Sequence, residues 1–277
     1  MSTRKFYNNT HYFIDEKEQV VRLAPSFHEE LLTFNKFKGF KKIGGSTVSD
    51  VLGTGSFKSE FAAFCHIARI KLPVLTKKYI HAGEVLEPRI FEVLRKFQPK
   101  LTIENYVAKD YNYNFFEGKD DILSGVPDGY IKDTNCIVEI KTAGEKKMSY
   151  WEANGVESSY RKQAQLYGYL MKATSYKIVA LFLRDEEGDY EFPENIDLRK
   201  RHIKAYDFLV NYDEAEDDIQ KVKDWYRHFT TIGVSPKYNR VSDADQIEYL
   251  KCQNEQEWAQ LLERWKREGK ADLDSQV

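Results

Sequence analysis

One stretch constrains this chain more than any other: Gly125-Val126-Pro127-Asp128-Gly129-Tyr130, followed by Cys136-Ile137-Val138-Glu139-Ile140-Lys141. Pro127 and Gly129 are turn formers, so the first half predicts a β-hairpin with the Asp128 carboxylate presented rigidly at its bend. The second half is a strand pattern. Side chains alternate faces along a strand, so Glu139 and Lys141 share one face while Cys136, Val138 and Ile140 share the other. The carbonyl of Ile140 lies between the two polar positions and adds an oxygen. Asp128, Glu139 and that carbonyl form the hard-oxygen set that Mg²⁺ or Mn²⁺ takes. Lys141 beside them can polarise or deprotonate a water, or hold a phosphate oxygen, as metal-assisted phosphodiester hydrolysis requires. Taken singly, an Asp in this setting is more commonly that of an ordinary Asp-Gly turn.

Such a site acts on a polyanion, yet Lys plus Arg is 42 against Asp plus Glu 44, a formal charge of −2. Any basic surface must therefore be local. Lys146 and Lys147, in a run from Thr142 to Glu157 that reads as a loop beside the site, are candidates for contact with a DNA backbone. A solvated surface is the alternative. The aromatic fraction of 14% suits a well-packed core and leaves rings for stacking on bases. Cys65, Cys136 and Cys252 are odd in number and far apart. They give neither a disulfide framework nor a zinc knuckle, and cannot supply the four ligands of an iron–sulfur cluster. A reduced, cytoplasmic setting is expected. Met1 to Phe13 lacks the apolar region of a signal peptide. Ile178 to Leu183 is the longest apolar run, too short to cross a membrane.

Four further segments carry polar groups worth placing. Ile43-Gly44-Gly45-Ser46 leads into a short apolar-periodic run, a loop entering a helix with Ser46 as its cap or as an anion contact. Phe57, Phe61, Phe64, Cys65 and Ala68 predict a core-facing helix over 56–70, in which His66 reads as a partner for nearby polar groups. A second helix is expected to open at His81, with Pro88 tolerated in its first turn. Its apolar stripe is Leu86, Ile90, Val93, Leu94 and Phe97, and Glu87 borders that stripe. A carboxylate so placed is costly to desolvate unless it is paired or bound to metal; a first-turn Glu favoured by the helix dipole is the plainer reading. A third helix, from Ser158 to about Ala173, sets Gln163, Tyr167 and Leu170 on one face, where Gln163 and Tyr167 can hold a phosphate or an attacking water. Tyr176 to Leu183 then reads as a buried strand of parallel type.

Pro127-Asp128 followed by Glu139-Ile140-Lys141 resembles the PD-(D/E)xK nuclease signature. Gly45-Ser46, Gly83-x-x-x-Glu87 and Gln163-x-x-x-Tyr167 come in the order of the YqaJ and lambda-exonuclease group of recombination exonucleases. The resemblance spans roughly residues 40 to 185. It implies an α/β fold with a restriction-endonuclease-like core, a mixed central sheet flanked by helices and a C-terminal helical extension. It implies that Glu87, Asp128, Glu139 and Ile140 hold Mg²⁺ or Mn²⁺, that Lys141 activates the water, and that Gln163 and Tyr167 orient it or the phosphate. Ser46 would touch a 5′ phosphate with one upstream lysine, Lys38, Lys41 or Lys42, and Arg161 and Lys146 would contact DNA. The activity implied is an exonuclease on duplex DNA ends in recombination or repair, with an annealing protein as a possible partner and a homo-oligomeric ring around DNA. A restriction-type endonuclease, or a DNA-binding module that has lost catalysis, are the competing readings. The expected division is a peripheral segment over 1–40, a nuclease core over 41–212 and a helical region from 213 to 277. That region is read as one helix through Ile219, Val222, Tyr226 and Phe229 and another from Ile247 to Trp265.

Overall fold

The strand expected around Glu139 is nine residues long, and a second apolar strand of nine lies parallel to it. The structure, a computed structural model, describes residues 4–33, 39–55 and 59–276. In chain order these form β1 (Tyr12–Asp15), β2 (Val20–Leu23), α1 (Pro25–Leu32), β3 (Ile43–Gly44), α2 (Ser46–Val51), α3 (Glu60–Ile67) and α4 (Lys78–Phe97). There follow β4 (Ile103–Asn105), β5 (Leu123–Ser124), β6 (Gly129–Ile131), β7 (Cys136–Gly144), α5 (Lys146–Asn154), α6 (Ser158–Met171) and β8 (Ser175–Leu183). The chain closes with β9 (His202–Leu209), α7 (Tyr212–Ile232), α8 (Ala244–Lys251) and α9 (Glu255–Arg267). It divides into two units: Met1–Ile43, Asp50–Thr76 and Lys221–Val277 in one, Gly44–Ser49 and Lys77–Gln220 in the other.

The second unit is a five-stranded sheet in the order β4-β6-β7-β8-β9, with β7 and β8 parallel and every other neighbour antiparallel. A parallel pair needs a crossover, and α5 and α6 supply it. Cys136, Val138 and Ile140 pack with Val179, Leu181 and Leu183 against Ala82, Leu86, Ile90 and Phe91 of α4. The opposite face carries Glu139, Lys141 and Phe182, and there α5 sets Trp151 against Phe182 and Tyr206. Alternation along β7 thus sorts an apolar face from a chemical one, as the sequence predicts.

Several local expectations are corrected. α4 begins at Lys78, so Pro88 lies in its interior, with Glu84 one turn before it. Pro88 offers no N–H to the carbonyl of Glu84, and Glu84 lies on the exposed side, where water can serve that oxygen. The run after Lys141 is not a loop: β7 continues to Gly144, and α5 follows from Lys146. Asp128 is not at a hairpin bend either. It precedes β6, whereas the β6–β7 turn is Lys132–Asn135, with Asn135 left-handed at φ 48°. Gly129 is required for closeness: a Cβ there would fall 2.4 Å from the Glu104 carbonyl oxygen and 2.6 Å from the Phe91 ring.

The first unit holds the antiparallel β1–β2 pair, α1, α3, α8 and α9. Ser59 caps α3 by accepting from the Ala62 N–H at 3.0 Å; Phe57 lies outside the described residues. The single helix expected over 247–265 is two, because Asn254 caps a fresh start by accepting from the Glu257 N–H. Buried Arg4 ties the unit together, donating to the Tyr249 carbonyl at 2.8 Å and to the Tyr12 hydroxyl at 2.9 Å. Among the described residues no helix is long and apolar enough to cross a membrane.

Candidate active site

β6 pairs with β7 only as far as Gly129 opposite Val138, so beyond Val138 the edge of β7 is free for a side chain. Asp128 takes that place. Its Oδ2 accepts from the Ile140 N–H at 2.7 Å, a bond that a neighbouring strand would otherwise supply. The N–H and C=O of one strand residue leave the same edge, so the Ile140 carbonyl emerges on the Asp128 side.

Glu139 is fully buried on the other pleat face of β7. Its Oε2 accepts from Lys141 Nζ at 3.0 Å and from Gln163 Nε2 at 2.9 Å. Among the described residues its Oε1 is buried with no hydrogen-bond partner, while the Asp128 backbone lies near enough to the carboxyl to favour its ionised form. A fully desolvated carboxylate oxygen without a donor is expensive and calls for a cation or a proton. Lys141 Nζ also lies 4.0 Å from Asp128 Oδ2. Glu87 comes from α4, half-buried, close enough to Asp128 and Lys141 for both to act on its ionisation.

The electrostatics follow from crowding three acids and one base. Burial, then the Asp128 charge, push the Glu139 carboxyl up to about 8 against the pull of Lys141. Burial and Asp128 push Glu87 up to about 7. Asp128 is raised by burial, with Lys141 and the Ile140 N–H opposing. Burial lowers the Lys141 ammonium, but Glu139 and Asp128 outweigh it and hold the lysine charged well above its ordinary value. Lys141 is thus the cation presently answering these acids. Among the described residues no group of three His, Cys, Asp or Glu side chains stands ready-formed around a metal position. The donor set is nevertheless that of a hard divalent ion, namely three carboxylates and a carbonyl with one buried oxygen unanswered.

The face of α6 supplies the surroundings. Tyr160, Gln163 and Tyr167 lie on it at i, i+3 and i+7. The Tyr160 ring has Lys141 Nζ 5.6 Å from its centroid, a contact the sequence analysis missed although the helical spacing to Gln163 would have shown it. Tyr167 is buried, and its hydroxyl is engaged by the Gly45 N–H and by Gln163. It therefore anchors the Gly45–Ser46 turn, with one hydrogen-bonding position of its hydroxyl still open. Gly125 makes this possible: it sits at φ 136°, and a Cβ there would lie 2.5 Å from the Tyr167 ring. Phe116 stacks on the far side of that ring at 5.9 Å.

Of the remaining predicted residues, Ser46 is exposed at the first position of α2. Lys146 is exposed at the start of α5, while its neighbour Lys147 is paired with Glu157 at 2.8 Å. Arg161 lies 5.0 Å over the Phe208 ring and bonds Tyr176, so it is turned toward β8 and β9. Lys41 and Lys42 lie in the other unit, and Lys38 is outside the described residues.

The sequence model of the YqaJ-like viral recombinase domain matches residues 37–175. Uncharacterized protein MG373 of Mycoplasma genitalium is 24% identical over 253 residues, covering 76% of this chain and 87% of its own. Its homolog in Mycoplasma pneumoniae is 26% identical over 247 residues, covering 74% and 86%. Among solved structures, LHK-Exo of Laribacter hongkongensis in complex with dAMP superposes with a TM-score of 0.50 at 13% identity, covering 82% of this chain and 93% of that one. A phage-related exonuclease from Haemophilus somnus gives 0.50 at 12% identity, covering 69% and 95%. The shared fold is that of the PD-(D/E)xK nucleases, with the mixed five-stranded sheet described above.

Proposed function

Because the chain belongs to the YqaJ-like viral recombinase domain family, we propose that it is a DNA nuclease, and specifically a metal-dependent exonuclease acting at duplex ends. Family and fold support a nuclease; the two solved proteins it resembles, both named exonucleases, favour action at ends over internal cutting. The observation that carries the chemistry is the buried, unpartnered Oε1 of Glu139 beside Asp128, Glu87 and a charged Lys141.

Glu87, Asp128, Glu139 and the Ile140 carbonyl would hold Mg²⁺ or Mn²⁺. A bound ion would supply Lewis-acid polarisation of a phosphate oxygen and a water of lowered pKa. Lys141, held as an ammonium by Glu139 and Asp128, donates to a phosphate oxygen and offsets charge developing on the phosphorus oxygens. Gln163 fixes one oxygen of Glu139 and thereby aims the other. Tyr167 is a positioning residue that holds Gly45 and so sets where Ser46 can meet a DNA phosphate. Lys146 is an exposed candidate for the backbone. Arg161, turned to Phe208, would reach DNA only beyond that ring.

The test is end-labelled linear duplex DNA against a closed circle of the same sequence, with Mg²⁺ or with chelator. Stepwise loss from the linear ends alone, abolished by chelation, is expected. Cutting of the circle would move the reading to an endonuclease, and no cleavage with Mg²⁺ or Mn²⁺ would leave only a DNA-binding module.

A further inference from the structure

The loop between β4 and β5 carries a ladder of rings whose exposed end the chemistry above does not use. Tyr111 lies 5.7 Å from Tyr106 and 4.9 Å from Phe115, Phe115 lies 5.4 Å from Phe116, and Phe116 stacks on Tyr167 at 5.9 Å. The ladder thus runs from exposed Tyr111 to α6, the helix that holds Gln163. The loop is also tied to the site through its backbone. The Tyr106 N–H donates to the Asp128 carbonyl and the Phe115 N–H to the Gly125 carbonyl, each at 2.8 Å. Two residues beyond Tyr111, Tyr113 is 70% exposed. Asn112 and Tyr113 both take left-handed conformations, φ 49° and 60°. Asparagine adopts that region readily and tyrosine does not, so the loop keeps Tyr113 there at a cost. The Tyr113 N–H bond to the Ala108 carbonyl at 2.8 Å and the Asn114 N–H bond to the Tyr111 carbonyl at 3.0 Å hold it in place.

Large rings held rigid at the surface form a contact surface, and the charge around them says for what. Lys109 and Lys119 stand against Asp110, Glu117, Asp120 and Asp121. Two of these acids serve the loop itself: Glu117 accepts from Asn114 Nδ2 at 2.6 Å, and Asp120 accepts from the Ile122 and Leu123 N–H groups at 2.8 Å each. Lys119 Nζ lies over the Phe115 ring at 5.4 Å and the Phe116 ring at 5.7 Å. A surface with no excess of positive charge gains little from phosphates, so what it offers a polynucleotide is the face of a ring. Within a duplex each base is covered by its neighbours in the stack. Exposed rings can therefore take only bases that are unpaired.

We propose that Tyr111 and Tyr113 form a stacking platform for unpaired bases of DNA beside the site. The proposal rests on the nuclease reading, under which removal of one strand from a duplex end leaves the other single-stranded. It adds a preference for ends with a single-stranded extension, which Glu87, Asp128 and Glu139 do not provide.

The test is fluorescence anisotropy with the full chain, in chelator so that nothing is cleaved, across a salt series. One duplex is used with blunt ends, with a thymidine overhang on the 3′ or the 5′ side, and with abasic overhangs of the same length. Tyr113→Asn removes the ring and suits a φ of 60°, so it should melt no lower than the unaltered protein. Its affinity for the better-bound thymidine overhang should fall on the order of 10-fold, the worth of one stacked base. The slope of log affinity against log salt should not change, and neither should binding to the blunt and abasic duplexes. Tyr113→Phe, which keeps the ring, should bind as the unaltered protein does. An equal loss on abasic overhangs would assign the contact to the DNA backbone and overturn the proposal. No loss on any overhang, a loss shared by Tyr113→Phe, or a loss matched by a lower melting temperature would overturn it as well. So would a changed oligomeric state with DNA binding intact, which would assign the rings to a second copy of this chain. Failure of the nuclease reading would show separately, as uncleaved DNA with the unaltered protein and Mg²⁺.

Discussion

Replacing Glu139 with Gln should stabilise the protein without divalent metal and remove its response to metal. The carboxyl is pushed from its ordinary 4.5 to about 8 by burial and by Asp128. Between those values the folded protein keeps a proton that the unfolded chain releases. Stability from such a group is therefore full below pH 4.5 and is lost as pH rises through 8, by about 1.4 kcal/mol per pH unit. At pH 7 this amounts to about 3 kcal/mol. Part of it is shared with Glu87 and Asp128, which titrate in the same cluster. A glutamine keeps the shape and can still accept from Lys141 and Gln163 through its carbonyl, but it weakens a charge-assisted bond by roughly 1 kcal/mol. The net gain is about 1–2 kcal/mol, or a rise in Tm of roughly 2–4 °C per kcal/mol for a chain near this size. Melting curves from pH 5.5 to 8 in chelator should fall for the unaltered protein and run flatter for Glu139→Gln. Adding Mg²⁺ at about 100 times its Kd should then stabilise the unaltered protein by about 2.7 kcal/mol and leave the variant unmoved, reversing their order. If the variant melts lower than the unaltered protein in chelator, or if Mg²⁺ raises both equally, the account of the buried oxygen is wrong.

Lys141→Met should lower kcat at least about 100-fold, the scale of one lost charge-stabilising donor, while keeping the Mg²⁺-induced rise in Tm. The unaltered enzyme's rate should show no fall from lysine deprotonation up to pH 9, because its carboxylate neighbours hold Lys141 charged. Gly125→Ala should cost about 2–3 kcal/mol in chemical denaturation, since the φ of 136° and the approach to the Tyr167 ring both exclude a Cβ. Tyr167→Phe leaves the Gly45 N–H and Gln163 without the hydroxyl; it should cost about 1 kcal/mol and raise KM for DNA more than it lowers kcat.

The chemical face of β7 and the parallel strand β8 were legible because alternation and apolar runs depend on residues close in sequence. The position of Asp128 was not. Pro127 and Gly129 suggested a bend, but Gly129 is there because the β4 backbone and Phe91 leave no room for a side chain, a contact between residues distant along the chain. Pro88 looked like a first-turn residue because the turn before it, from Lys78, is partly exposed and mixed in character. α5 was hidden for a similar reason: among Lys146–Asn154 only Trp151 is buried, so no apolar stripe announces a helix. Gln163 was readable from helical spacing, but its bond to Glu139 needed α6 placed over β7. Tyr167 was on the right face, but its contacts with Gly45 and Gln163 needed α6 placed beside the Gly45–Ser46 turn.

The most direct test of the central claim is single-turnover release of label from a linear duplex by Asp128→Asn with Mg²⁺, alongside DNA binding by the same variant. Asparagine can still accept from the Ile140 N–H through its carbonyl, so the fold and DNA binding should survive. The account predicts hydrolysis slower by about 1,000-fold or more at unchanged affinity. Hydrolysis by Asp128→Asn at the rate of the unaltered protein would show that the chemistry happens elsewhere.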